Sequence, residues 1–178
     1  MPVTSDFRAQ LRFAAYRTFY KLPGVVRRRI VRVLTPSFTV GALVLAYDAD
    51  AAPPGRLLLV RQPRATGWSL PGGLLDRNET MRQCGARELA EETGVVVSPD
   101  ALRPANPSAI IHTVGRWVDV VFEVDVAADT PLVLDPAEVV AAAWHQIDHL
   151  PEMTVLTARL LANYGIGPYA EYPEVREV

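Results

Sequence analysis

Glu88, Glu91 and Glu92 put three carboxylates within five consecutive positions. On a helix each residue advances about 100°, so Glu91 and Glu92 lie about 60° to one side and about 40° to the other side of Glu88. All three side chains then leave one face. Like charges held this close raise one another's pKa unless a cation joins them. A hard, oxygen-preferring divalent ion meets that need, with Mg²⁺ expected and Mn²⁺ as the alternative. Such a site suits substitution at phosphorus, which needs charge neutralised on oxygens and a water held in line. Taken alone, Glu-x-x-Glu-Glu also reads as an ordinary solvated helix face, because glutamate is a good helix former.

The residues around the cluster specify how it is held. Thr80-Met81-Arg82-Gln83 has the form of a capping box, and Thr93-Gly94 closes the helix at a left-handed position, so a helix is expected from Met81 to Glu92. Ala86, Leu89 and Ala90 lie opposite the glutamates and suit close packing on a sheet. Cys84 and Gly85 flank the acidic face. Gly85 costs about 1 kcal/mol relative to alanine inside a helix, which points to a close approach there. Cys84 reads as a small packing residue rather than a catalytic thiol. Upstream, Trp68-Ser69-Leu70-Pro71-Gly72-Gly73 ends in two glycines that let the backbone bend and aim a carbonyl at a metal or an amide at a phosphate. A plain turn is the other reading of that pair.

The segment Gly73 to Val95 resembles the Nudix hydrolase signature, G-x5-E-x7-R-E-U-x-E-E-x-G-U, where U is a bulky aliphatic. Gly73, Glu79, Arg87, Glu88, Leu89, Glu91, Glu92, Gly94 and Val95 fill its defined positions without a gap. A looser resemblance runs from Phe38 to Ala162. It implies an α/β fold, the Nudix α/β/α sandwich around a mixed sheet. It also implies hydrolysis of a diphosphate linkage, in a nucleoside diphosphate derivative or a nucleoside triphosphate, by water attack on phosphorus. Glu88, Glu91, Glu92 and the Gly72 carbonyl are then the expected metal ligands. Arg87 orients the glutamates, and Glu79 helps hold the loop–helix unit. The general base stays open among Glu91, Glu92 and Glu138, the last on a later loop; Asp119 and Glu123 are weaker candidates. Arg61, Arg64 and Gly73 are candidates to meet substrate phosphates. Trp68 is either a base-stacking residue or a core aromatic, and His112 reads as a satisfied strand histidine. Asn78 departs from the glycine that many members carry before the first glutamate. The secondary motifs of the ADP-ribose, dinucleoside polyphosphate and NADH subfamilies are absent, and the arginine-rich pattern of coenzyme A hydrolases is incomplete. A non-catalytic nucleotide-sensing module is the rival function, although such modules usually lose box carboxylates that this chain keeps.

At 178 residues, with 49% hydrophobic and 21% charged content, the chain has the make-up of an ordinary globular domain. No apolar run approaches the ~18 residues of a membrane span. A single cysteine and no secretory pattern fit a reducing, cytoplasmic setting. Three histidines without cysteine partners argue against zinc.

The net charge of −2 conceals an asymmetry. Of 18 basic and 20 acidic residues, the first 38 positions hold eight basic residues and one acid, Asp6, leaving ten basic and nineteen acidic for the rest. Arg8, Arg12, Arg17, Lys21, Arg27, Arg28, Arg29 and Arg32 alternate with Phe7, Leu11, Phe13, Tyr16, Phe19 and Tyr20. A helix to about Leu22, a Pro23-Gly24 break and a second basic helix or strand are expected. This extension could pack on the body or on a partner subunit, as in a homodimer. It could instead lie on an anionic membrane surface or contact nucleic acid, though no nucleic-acid motif supports the last.

The organisation expected is a basic helical extension over 1–37, a catalytic domain over 38–164 and an unassigned tail over 165–178. Within the domain, strands are expected at Phe38–Tyr47, Arg56–Gln62, Val95–Val97, Ala109–Val114, Trp117–Val126 and Ala137–Gln146. Ser98–Ser108, with three prolines, reads as loop, Gly115-Arg116 as a tight hairpin turn, and Met153–Asn163 as a helix.

Overall fold

The computed structural model describes residues 4–53 and 55–172. The rest of the expected C-terminal tail, 173–178, lies outside the described residues. The chain divides into two units, Met1–Ser37 and Phe38–Val178. The first contains α1 (Thr4–Lys21) and α2 (Gly24–Leu34), separated at Pro23 as the sequence predicts.

The second unit carries the sheet. Its strands are β1 (Thr39–Asp48), β2 (Arg56–Arg61), β3 (Gly72–Leu74), β4 (Arg103–His112), β5 (Trp117–Val126) and β6 (Ala141–Gln146). They run in the order β4-β5-β1-β2-β6, with β3 paired to β1. The β1–β5 pair is parallel and the other pairs are antiparallel, so the sheet is mixed. Helices α3 (Met81–Thr93) and α4 (Val155–Ala162) cover its two faces.

Strand alternation explains the two layers. In β1, Ala42, Val44 and Ala46 join the core under α3 with Cys84, Ala86 and Leu89, whereas Leu45 joins Leu160 and Leu161 of α4. β2 repeats the pattern, Leu58 to one side and Leu57 and Leu59 to the other. A strand apolar at every position is what a sheet covered on both faces requires.

Helix α3 forms by the local chemistry written at its ends. The Thr80 hydroxyl accepts from the Gln83 amide, and the Gln83 side chain accepts from the Thr80 amide at 2.8 Å, completing the capping box. Gly94 ends the helix at φ 76°, and its N–H donates to the Ala90 carbonyl at 2.9 Å. Gly85 serves a close approach to the sheet: a Cβ there would stand 3.1 Å from Leu102 and 3.3 Å from Val44. Asn78, in place of the family's frequent glycine, sits at φ 64°, a left-handed conformation that asparagine tolerates better than most residues.

Four expectations are corrected. Val95–Val97 is not a strand: Val95 and Val97 reach into the core under α3 while Val96 faces solvent, and the segment joins no ladder among the described residues. Ser98–Ser108 is not all loop: after a 3₁₀ turn at Pro99–Ala101, β4 begins at Arg103 and runs through Pro104 and Pro107. β4 is an edge strand with a register shift between Pro104 and Ala109, the setting in which proline's missing N–H is tolerated. Finally, Ala137–Val140 precedes β6 as a turn, because Asp135 takes the Ala137 amide on its side chain and the Glu138 and Val139 amides on its carbonyl. The β4–β5 connection is also longer than a tight two-residue turn, since His112 pairs with Trp117, although Gly115 (φ 92°) and Arg116 (φ 58°) do take the left-handed conformations.

Leu89 is fully buried, so Leu89→Ala is expected to lower stability by about 3 kcal/mol. Loss of the cap in Thr80→Ala is expected to cost about 1 kcal/mol. Equilibrium urea unfolding reads both; a larger loss for Thr80→Ala would mean that the cap, not the buried face, holds the helix in place.

Candidate active site

The β3 turn and helix α3 meet along Gly72, Gly73, Glu88 and Glu92. Gly72 has φ 151°, and a Cβ on it would strike the Ala42 carbonyl, so only glycine lets β3 lie this close to β1. Its N–H donates to Glu92 Oε2 at 2.9 Å, and Gln62 Nε2 approaches Glu92 Oε1 at 3.5 Å. A Cβ on Gly73 would collide with the Glu88 carboxylate, which occupies the space that this glycine leaves. Glu88 and Glu92 line a cleft of about 840 Å³ together with Gly72, Gly73, Arg64 and Glu138.

Arg87 holds the acidic group from its edge. Its Nε and Nη2 donate to Glu79 at 2.9 and 3.1 Å, its Nη1 donates to Glu88 and Glu91, each at 2.8 Å, and Nη2 also reaches the Leu74 carbonyl at 3.1 Å. One guanidinium therefore ties the helix to the loop before it, and Glu79 is the carboxylate that anchors that guanidinium. These bonds, that to Glu79 foremost, raise the Arg87 pKa still further and lower that of Glu79.

Glu88, Glu91 and Glu92, expected on one face, differ in burial. Glu92 is 4% exposed and Glu88 half-buried in the cleft, but the Glu91 side chain is 51% exposed and bonded to Arg87. Arg87 stands four residues before Glu91, the spacing at which helix side chains meet, and its Nη1 bridges the Glu88 and Glu91 carboxylates. Among the described residues no three His, Cys, Asp or Glu side chains close into a ready-made metal cage.

Electrostatics set Glu92 apart. Burial pushes its pKa from 4.5 up to about 7, with Glu88 and Glu138 adding repulsion and the Gly72 and Gln62 donors opposing it. Burial also raises Glu88, and Glu91 and Glu138 contribute in the same direction. Glu92, buried, and Glu88, half-buried, both resist ionisation, and together they form a donor pair that fits a hard divalent ion. By contrast, burial pushes the Cys84 thiol up to about 11, leaving it neutral and inert.

Other sequence candidates separate by position. Arg64 and Glu138 line the cleft, and Gln62, Pro63, Ala65 and Ala137, which sequence reasoning missed, line it with them. Gln62 directly follows β2, and a polar residue leaving a buried strand beside a glycine turn was the available signal. Arg61 and Trp68 are not on that lining: Arg61 stacks over Trp68 at 6.0 Å, and Trp68 packs edge-on against His145 and into the core under α4. Trp68 is thus a core aromatic. Glu138 carries no side-chain hydrogen bond or ion pair among the described residues. His112, expected as a satisfied strand histidine, is satisfied at one nitrogen: Nε2 bonds Asp119 at 2.9 Å, while Nδ1 is buried with no hydrogen-bond partner among the described residues. A second cavity of about 330 Å³, walled by Asp119 and Trp117, shares Gln62, Ala65 and Gly72 with the cleft.

The family model for the NUDIX domain matches residues 37–164. A MutT-like protein of Streptomyces ambofaciens is 41% identical over 66 residues, covering 37% of this chain and 39% of that relative. The NAD-capped RNA hydrolase NudC of Stutzerimonas stutzeri is 33% identical over 136 residues, 75% of this chain and 45% of that protein. The chain thus spans less than half the length of both these curated relatives. The crystal structure of a MutT NUDIX hydrolase from Burkholderia pseudomallei superimposes with a TM-score of 0.54 at 27% identity, covering 68% of this chain and 94% of that one.

The sign of the Glu92 shift makes a prediction for metal-free protein. Its pKa is higher folded than unfolded, so its stabilising contribution is complete below pH 4.5 and is lost as pH rises through about 7. The loss amounts to about 3 kcal/mol. Urea unfolding in chelator from about pH 5 to about pH 8 is expected to show this decline in the unaltered protein and a flatter profile in Glu92→Gln. Parallel profiles would contradict the shift.

Proposed function

This chain belongs to the Nudix family, and from that premise we propose that it is a divalent-metal-dependent hydrolase that splits a diphosphate linkage in a nucleoside diphosphate derivative or a nucleoside triphosphate. The observation that carries the reading is the cleft in which Glu88, Glu92 and Glu138 face one another over the Gly72-Gly73 turn. Nudix hydrolases generally use a divalent metal, and Mg²⁺, with Mn²⁺ as substitute, is the ion proposed here.

Glu88 and Glu92 would hold the ion, with Glu91 and the Gly72 carbonyl as further donors implied by the family resemblance. When bound, the ion supplies positive charge against the phosphate oxygens and acidifies water. Arg87 fixes the Glu88 carboxylate in orientation and keeps the helix seated on the loop through Glu79. The Gly72 amide fixes Glu92 from the opposite side. Arg64 lines the cleft and is placed to meet a phosphate.

Glu138 is the proposed proton acceptor. Both Glu92 oxygens face donors, and Glu91 is committed to Arg87, whereas the Glu138 carboxylate stands free at the rim of the same cleft. A carboxylate so placed accepts the proton as water attacks phosphorus. The adjoining cavity beside Asp119 offers room for the organic group joined to the diphosphate. One relative's name states NAD-capped RNA as substrate, which keeps a dinucleotide-type diphosphate within the substrate class to be screened.

The test is a phosphate-release screen over nucleoside triphosphates, nucleotide sugars, ADP-ribose and coenzyme A, with and without Mg²⁺. At least one substrate should turn over only with the metal. Glu88→Gln and Glu92→Gln should each lower kcat by at least about 100-fold. Arg87→Ala should cost about 10–100-fold through weaker metal binding. Glu138→Gln should lower kcat by about 100-fold while leaving Mg²⁺ affinity unchanged. Tight nucleotide binding without turnover would favour a sensing module instead.

A further inference from the structure

We propose that the basic helical pair α1–α2 seats this protein on an anionic lipid surface, lying on the membrane rather than crossing it. The first 38 residues carry eight basic side chains against one acid, a net charge of +7, while the rest, with ten basic and nineteen acidic, carries −9. An anionic surface therefore attracts one unit of the chain and repels the other. No described helix is long and apolar enough to cross a membrane.

Charge alone would serve nucleic acid equally, and the apolar side chains decide between them. On α2 the helical advance of about 100° per residue gathers Val26, Ile30, Val33 and Leu34 on one side and Arg28, Arg29 and Arg32 on the other. No residue of α2 is buried. The two helices leave an apolar groove lined by Tyr16, Phe19, Ile30 and Val31, yet Phe13, Tyr20, Val25, Val33 and Leu34 each remain at least 60% exposed. Aliphatic valine and leucine have no face on which a base can stack, so their exposure beside arginines gains nothing from RNA. A lipid interface takes both: the arginines meet headgroup phosphates, and the apolar side chains enter the acyl boundary. A second copy of the same pair, at +7 against +7, is repelled. Arginine and the ringed Tyr20, over which Arg27 already stacks at 5.7 Å, are both suited to the headgroup layer.

Co-sedimentation of the full chain with vesicles tests this. Binding is expected to phosphatidylcholine mixed equally with phosphatidylglycerol, and not to phosphatidylcholine alone. Raising salt should weaken it, because the headgroup attraction is screened. Replacing Arg27, Arg28, Arg29 and Arg32 by Gln should reduce partitioning by at least about tenfold, given that each basic side chain near the surface contributes about fivefold. Val26, Val33 and Leu34→Ser should also reduce it, at unchanged charge. Circular dichroism shows whether the variants keep their helices, and the vesicle and salt comparisons on the unaltered chain stand without them. Turnover of soluble nucleotides by the arginine variant should match that of the unaltered protein. Equal binding to both vesicle types, or none to either with retention by single-stranded RNA, overturns the proposal.

Discussion

Burial of the Glu92 carboxylate against a glycine turn is the constraint around which the candidate site is arranged. A carboxylate at 4% exposure loses most of its hydration and is held in place only by donors in fixed positions. The Gly72 amide is one, and it can reach Glu92 only because β3 lies against β1 closely enough to forbid a side chain at Gly72. Placing Glu88 beside it adds repulsion that the Arg87 fork offsets on one flank. The result is a region whose negative charge is only partly compensated by the protein itself, which is the condition under which a divalent ion and a phosphate bind together.

Each layer of the fold contributes to that arrangement. β1 is apolar on both faces, so it runs through the middle of the sheet and presents β3 to α3. The small residues on the buried face of α3, Gly85 and Ala86 above all, bring the helix close to the sheet and so bring its glutamates to the turn. The Glu79–Arg87 pair then joins the helix to the loop before it. Glu138 reaches the same cleft from a turn that Asp135 builds with its own carbonyl and carboxylate.

What the sequence makes legible is local or strongly periodic. The extent of α3 follows from Thr80, Gln83 and Gly94, whose bonds form within a few residues of each other. β1, β2 and β5 follow from runs of apolar residues that a doubly covered sheet needs. What stays hidden depends on neighbours distant in the chain. Pro104 and Pro107 read as loop because nothing local reveals that β4 lies at the edge. Val95–Val97 reads as strand because two of its valines enter the core without a strand partner. Glu91 and Glu92 look equivalent by helical angle, and only the positions of β3 and Arg87 make one buried and the other exposed. The roles of Gln62 and Glu138 likewise come from loops that close over the helix.

Whether Glu88 and Glu92 jointly bind a divalent ion is the central question, and anomalous diffraction from crystals soaked in Mn²⁺ answers it directly. A manganese peak is expected in the cleft, in contact with both the Glu88 and Glu92 carboxylates. Its absence there, or a peak held elsewhere by other residues while these two carboxylates keep only protein partners, would contradict the account.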